Sequence, residues 1–290
     1  RRCCGGQSRL VAQLFAMSRP KSHRYRCGRN GASGPKIPAK MLTKADIRFV
    51  RALADRQARS ESGMFVVEGD KMVAELPGSG LRTERLFTTG SSAVGGGEQV
   101  SDKEMERLSS LRSAPRSLAV VRIPERNPFV PSPEKLCLAI DGVQDPGNMG
   151  TIIRTADWFG IENIVCSADT ADCYNPKAVQ STMGALFRVA VHYCDLPEWL
   201  AEARRGGTEI YGTTLDGEEI YEAELGQGGV IVMGNEGNGI SDRVRRTLSR
   251  RLLIPPFPAG RRGSESLNVA IATAVVCAEF RRRTKIRQVL

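Results

Sequence analysis

The apolar positions along the chain change their rhythm at a run of prolines near residue 130. Before it, short amphipathic helices alternate with short strands. Thr43 can cap a helix that carries Ile47, Val50, Leu53 and Ala54 on one face. Residues 65–69, Phe-Val-Val-Glu-Gly, read as a buried strand ending at a glycine. Residues 70–76 predict a helix, 84–88 a strand and 90–97 a loop. Ser101 can cap a helix over 102–111, with Glu104 in its first turn. Residues 118–123 predict one more strand. Residues 124–133, PERNPFVPSP, hold four prolines and predict a linker.

From residue 134 apolar strands are expected at 136–141, 164–167, 188–193, 209–213, 229–233 and 251–254. Helical segments are expected at 148–159, 177–185, 196–205, 241–248 and 268–283. Such alternation predicts an α/β fold with a mostly parallel sheet covered on both faces. Ligands of such sheets sit at the carboxyl ends of the strands. The expected organisation is a leader over 1–40, a small α/β domain over 41–123, the linker over 124–133 and the parallel-sheet domain over 134–290. No run approaches the roughly 18 apolar residues that would cross a bilayer, so no membrane partner is expected.

Charge changes this picture less than its total promises. The net charge is +10, which by itself points to nucleic acid. Residues 1–40 hold ten of the Lys and Arg residues and no acid, which leaves 32 basic against 32 acidic residues in the body. Any argument for RNA must therefore rest on local clusters. The leader is expected to be disordered. Its Arg-rich, acid-free composition is similar to a mitochondrial transit peptide. The other reading is an over-extended reading frame, because MLTKADIRFVRAL from Met41 looks like a natural start, and it leads to a cytoplasmic expectation.

The eight cysteines form no CxxC pair, and the two histidines complete no zinc pattern. No metal is expected. The cysteines read as small buried hydrophobes in a reducing compartment.

Four motifs carry candidate chemistry. In AIDGVQDPGNMGTIIRTADWFG a strand ends at Asp141 and a Pro-Gly turn leads into Asn148, Gly150 and Arg154. With a helix start near Asn148, Arg154 lies about two turns in and can address a phosphate or ribose. The plainer reading is an N-capping Asn and a surface Arg. In NPKAVQSTMGALFRV, Ser181, Gly184 and Ala185 predict close helix packing. In VIVMGNEGNGIS a strand runs into a glycine loop containing Gly234, Asn235 and Glu236, with neither P-loop nor dinucleotide-fingerprint spacing. Glu236 would repel a phosphate but can accept backbone N–H bonds. Finally, Ile254-Pro255-Pro256 and Ser266-Leu267-Asn268-Val269 flank a Gly/Arg-rich loop. Prolines free backbone carbonyls there, which suit an adenine edge.

In this order and combination the motifs over about 134–283 resemble the SpoU (TrmH) family of RNA ribose 2′-O-methyltransferases. The segment SGMFVVEGDKMVAEL is similar to that family's N-terminal substrate-binding domain. The resemblance implies a SPOUT α/β-knot, a deep trefoil knot that ordinary topology rules would exclude. It implies S-adenosylmethionine (AdoMet) as cofactor, contacted at Gly234, Asn235, Ile254, Pro256 and Leu267, with Thr213 and Leu215 as additional contacts. Asn148, Arg154, Glu236, Ser266 and Asn268 take the places of the family's catalytic residues. An RNA substrate, ribosomal or transfer, and a homodimer through the knot and the last helix are also implied. Pro256, where the family commonly has Met, and a long loop with Arg261 and Arg262 depart from the pattern. These arginines, with Arg281 to Arg283, Lys285 and Arg287, are candidate RNA contacts; a solvated helix end is the plain alternative for the C-terminal run. The alternatives in function are an RNA-binding protein that lost catalysis and a knotted base methyltransferase.

Overall fold

The structure, a computed structural model, describes residues 42–258 and 266–284. The basic leader, Met41, Arg261, Arg262, Lys285 and Arg287 lie outside the described residues.

Two reciprocal caps start the first part of the chain. The Thr43 hydroxyl accepts the Asp46 N–H at 3.1 Å, and the Asp46 carboxylate accepts the Thr43 N–H at 2.9 Å. They open α1 (Lys44–Ala52). Ser101 and Glu104 exchange the same pair of bonds at α4 (Asp102–Leu108). Between them come α2 (Arg56–Ser62) and α3 (Asp70–Glu75). The periodicity does not reveal α2, whose sequence RQARSES has no apolar face; its side-chain cap from Asp55 makes it a helix. The strands β1 (Met64–Glu68), β2 (Thr83–Thr88), β3 (Glu98–Gln99) and β4 (Ser117–Arg122) form one sheet in the order β1-β4-β2-β3.

The second part alternates as its pattern predicts. Its elements are β5 (Leu136–Ile140), α5 (Pro146–Trp158), β6 (Asn163–Ser167), α6 (Pro176–Thr182), β7 (Ala190–Cys194), α7 (Leu196–Arg205), β8 (Ile210–Glu219), β9 (Gly229–Met233), α8 (Asp242–Arg245), β10 (Arg250–Leu253) and α9 (Val269–Arg283). The sheet order is β10-β8-β9-β5-β6-β7, and every neighbouring pair is parallel. Alternate residues of β5 serve two cores. Leu138 and Ile140 join the layer of α5 and α9, while Cys137 and Ala139 join that of α7 and α8. A continuous apolar strand with both faces buried is what a parallel sheet between helices requires.

Three boundaries differ from the sequence expectation for physical reasons. α6 stops at Thr182 because Met183 and Gly184 both take left-handed backbone, with φ of 52° and 90°. α8 is one short turn. β8 runs on to Glu219, but its register against β10 jumps from Gly212 opposite Arg251 to Glu218 opposite Leu252. Residues 213–217 therefore arch out of the sheet.

The proline-rich segment is pinned to the second sheet. The Phe129 ring stacks on His192 at 5.3 Å and on Trp199 at 6.2 Å, and its carbonyl accepts the Trp199 indole N–H at 2.7 Å. The two sheets also share buried surface. Phe65 and Val67 of β1 belong to the same apolar cluster as Ile140 and Met149, and Phe65 packs on Tyr174 at 4.8 Å. Arg59, almost wholly buried, pairs with Asp172 at 2.6 Å and donates to the Leu53 and Ala54 carbonyls. Among the described residues no helix is long and apolar enough to cross a membrane, and no three His, Cys, Asp or Glu residues cluster as metal ligands. Four of the five described cysteines are buried, and burial pushes the Cys277 thiol up to about 12.

Candidate active site

Because the six strands run parallel, their carboxyl ends meet at one edge. Ile140 lies opposite Met233, Val232 opposite Gly212, and Gly212 opposite Arg251. The segments that leave these strands are those the motifs mark.

After β5 the chain turns at Gly142, whose φ is 72°. The Gly142 N–H is held by Ser167 and Thr170, and buried Asp141 accepts the Ser241 N–H at 2.7 Å. Asp145 then caps α5 by accepting the Asn148 N–H at 2.9 Å, with Pro146 at the first helical position. This corrects the sequence expectation that Asn148 begins the helix. Asp-Pro was the available signal, since an N-cap acid followed by proline is a helix start. Lys177 bonds the other Asp145 oxygen at 2.5 Å and, with the Asn148 N–H, holds that carboxyl below the usual range.

With its backbone satisfied by Asp145, Asn148 has its side chain free to bridge. Its Nδ2 donates to Glu236 Oε1 at 2.9 Å, and its Oδ1 accepts from Asn268 Nδ2 at 3.1 Å. Asn268 in turn caps α9, its Oδ1 accepting the Ala270 and Ile271 N–H groups at 3.0 and 3.3 Å. Three residues far apart in the chain thus form one hydrogen-bonded line. Arg154 stands exposed on the same helix, six residues beyond Asn148 and outside this line.

The glycine loop is shaped by contact with itself. A Cβ on Gly234 would lie 2.3 Å from the Gly239 carbonyl carbon and 2.4 Å from the Ile240 nitrogen. The Asn235 and Gly239 backbones exchange bonds at 2.9 and 3.0 Å. The Asn235 side chain accepts the Gly237 and Asn238 N–H groups and donates to the Gly142 carbonyl at 2.6 Å. It is a clamp between the loops after β5 and β9. Its effect is to present Glu236, which is exposed, towards Asn148.

The remaining candidates line the ends of β8, β10 and α9. Thr213 is half-buried and donates to the Val232 carbonyl at 3.2 Å. Leu215, on the arch, is 75% exposed, and Leu267 is 51% exposed. Ile254 is half-buried; Pro256 and Ser266 are exposed. Two of the candidate RNA contacts at the C-terminus, Arg281 and Arg283, bond backbone carbonyls of other elements. Arg281 donates to the Phe159 and Gly160 carbonyls, and Arg283 to those of Ile220 and Tyr221. Arg282 and Arg283 also bind buried Glu279, holding its carboxyl at about 2. Arg281 and Arg283 fasten α9 to the sheet domain, whereas Arg282 bonds only within α9 and stays exposed.

The geometry is that of a surface site at strand ends, with an arginine, a carboxylate and two amides, and with apolar side chains exposed beside them. A family model described as the SpoU rRNA Methylase family matches residues 135–278, and one described as an MRM3-like substrate binding domain matches residues 44–119. The 23S rRNA (guanosine(2553)-2′-O)-methyltransferase RlmP of Bacillus subtilis is 31% identical over 239 residues, covering 80% of this chain and 94% of that one. The chain belongs to the SpoU rRNA methylase family. Two solved SpoU and TrmH structures bear out the fold. A putative RNA methyltransferase of the TrmH family from Porphyromonas gingivalis aligns with a TM-score of 0.75 at 40% identity, covering 84% of this chain and all of that one. The SpoU methyltransferase AviRb from Streptomyces viridochromogenes, solved in complex with AdoMet, aligns with a TM-score of 0.72 at 26% identity, covering 84% and 99%.

Proposed function

We propose that this SpoU protein is an AdoMet-dependent methyltransferase that methylates a ribose 2′-hydroxyl in ribosomal or transfer RNA. The observation that carries the reading is the Asn268–Asn148–Glu236 line at the strand ends, on the helix that bears Arg154. The named 23S rRNA relative favours ribosomal RNA as the substrate.

The residues present fit such a cofactor. The arch over 213–217 leaves the sheet beside Gly234, and among the described residues the buried Thr214 hydroxyl has no hydrogen-bond partner. Leu215 and Leu267 offer exposed apolar surface for an adenine. Gly234, Asn235, Ile254, Pro256 and Leu267, with Thr213 and Leu215, would hold it. When bound, AdoMet supplies an already activated sulfonium methyl group. The chain's own work is therefore alignment of the ribose and stabilisation of charge as the hydroxyl proton leaves. Arg154 orients the phosphate and ribose; a guanidinium is too basic to serve readily as the proton acceptor. Asn148 fixes the position of Glu236 and ties both to the start of α9. Ser266, two residues before the cap, is exposed at the same end.

The knotted threading belongs to this proposal. The return of the chain to bond Asn268 with Asn148 supports it. A homodimer through α9 is proposed as well. Ile271, Val275 and Ala278 lie at helical spacing on α9, and Ile271 is 54% exposed. An Ile271→Arg variant should halve the mass measured by light scattering.

The deciding assay is tritiated methyl transfer from AdoMet to RNA from a methylation-deficient strain. Wild type should label the RNA, and Arg154→Ala should lose roughly a hundredfold or more in rate. Wild-type protein that binds this RNA but transfers nothing would overturn the reading.

A further inference from the structure

The chain outside the 1–40 leader carries equal numbers of basic and acidic residues, so a groove lined by two cations and by no acid stands out. Such a groove, of about 480 Å³, lies where the two sheets' flanking elements meet. One wall comes from the turn after α4, with Ser110 and Arg112. The other comes from α6 and its cap, with Asn175, Lys177, Gln180 and Ser181. The lining holds two cations and no carboxylate.

The first wall is held from behind. Glu68, at the end of β1 and only 5% exposed, accepts the Ser109 hydroxyl at 2.5 Å and the Ser110 hydroxyl and N–H at 2.8 and 3.2 Å. This buried carboxylate fixes the turn that carries Arg112. The second wall is continuous with the active site. Lys177 Nζ bonds Asp145, Asp145 caps the helix at Asn148, and Asn148 bonds Glu236. The lysine lies so close over Gly147 that a Cβ there would be 3.1 Å from its Cε.

We propose that this groove carries the stretch of target RNA next to the methylated nucleotide, with Arg112 and Lys177 as its phosphate contacts. The proposal rests on the RNA methyltransferase reading and adds where the strand runs. Cations on opposite walls suit a polyanion that crosses from one sheet's elements to the other's. The Lys177–Asp145 pair is exposed on both sides, so its strength is small and an RNA phosphate can compete for the lysine. Binding in the groove is thereby linked to the residue that caps α5 and positions Asn148. Lys177 is a positioning residue as well as a phosphate contact.

The test is fluorescence anisotropy with a labelled single-stranded uridine oligomer and with unmodified 23S rRNA transcript, titrated across salt. Wild type is compared with Arg112→Gln, Lys177→Gln and the double variant. The double variant should bind roughly tenfold or more weakly, and its salt slope should fall by about 1.4, about 0.7 for each single-strand phosphate that is no longer neutralised. In Arg112→Gln, which lies outside the chain of bonds to Asn148, AdoMet affinity and melting temperature should stay at wild-type values, which separates weaker RNA binding from a damaged fold. Unchanged affinity and slope in the double variant, with wild type active in methyl transfer, would overturn the groove. Absence of methyl transfer in wild type, with the weaker binding of the variants observed, would overturn the catalytic reading and leave the groove supported.

Discussion

Asn148 Oδ1 accepts a hydrogen bond from Asn268 Nδ2 at 3.1 Å across 120 residues of chain. The same Asn268 caps α9 through its Oδ1. One side chain thus has two separable duties, and substitution can divide them. Asn268→Asp keeps an oxygen for the cap but removes the donor to Asn148. It should retain the melting temperature and lose roughly tenfold to a hundredfold in methyl transfer. Asn268→Ala should lose both, with about 1 kcal/mol of stability going with the cap. Urea unfolding beside the transfer assay checks the pair; equal activity in wild type and Asn268→Asp would remove Asn268 from the mechanism.

The glycine loop gives a sharper contrast. A Cβ at Gly234 would collide with the backbone of Gly239 and Ile240, whereas one at Gly237 would meet only Asn235 Oδ1, at 3.5 Å. Gly234→Ala should open the loop, release Glu236 from Asn148 and abolish measurable AdoMet binding by calorimetry. Gly237→Ala should bind within about threefold of wild type, as expected where there is room for a methyl group. Similar losses in both variants would mean that loop flexibility, and not the Gly234 contact, governs the site.

Arg59 tests how the two sheets are joined. Its guanidinium binds Asp172 and two backbone carbonyls with almost no exposure. Arg59→Met leaves Asp172 and those carbonyls without their donor, and should cost about 3–5 kcal/mol in urea unfolding. The activity of the folded fraction should survive, since Arg59 touches no site residue. A cost below about 1 kcal/mol would mean that the shared apolar cluster around Phe65 holds the sheets without it.

The sequence made α7 plain and the site only partly so, and the difference is one of range. α7 is encoded locally, with Asp195 accepting the Glu198 N–H and Leu196, Leu200 and Ala203 buried on one face. Parallel strands were equally legible, because burial on both faces leaves unbroken apolar runs such as VIVM. The Asn148–Glu236 and Asn148–Asn268 bonds span 88 and 120 residues, and no local pattern encodes such pairings. The family resemblance marked those residues without saying that they touch. The arch in β8 was illegible for a similar reason. Gly217 is needed there because a Cβ would meet the Leu252 backbone at 2.6 Å, a contact only the folded sheet creates. Arg281 and Arg283 looked like RNA contacts because charge is visible in sequence, while the carbonyls that receive them are not.

His192 predicts a pH dependence of stability. Burial first, and the Arg126 charge second, lower its pKa from 6.5. The ring is half-buried between Phe129 and the Asn163 side chain. The folded protein therefore resists the proton that the unfolded chain accepts at about 6.5. Above that value both states are neutral and the histidine adds no pH dependence. As pH falls below about 6.5, the unfolded state binds the proton first and stability drops, until the folded histidine also protonates. His192→Gln keeps a polar group near Asn163 but cannot titrate. It should flatten the fall in melting temperature between about pH 6.5 and 5 that wild type shows, and leave the curve above pH 7 unchanged in slope. A wild-type curve already flat over that window would mean that Phe129 stacks equally well on the charged ring. The proline-rich segment would then hold its place independently of protonation.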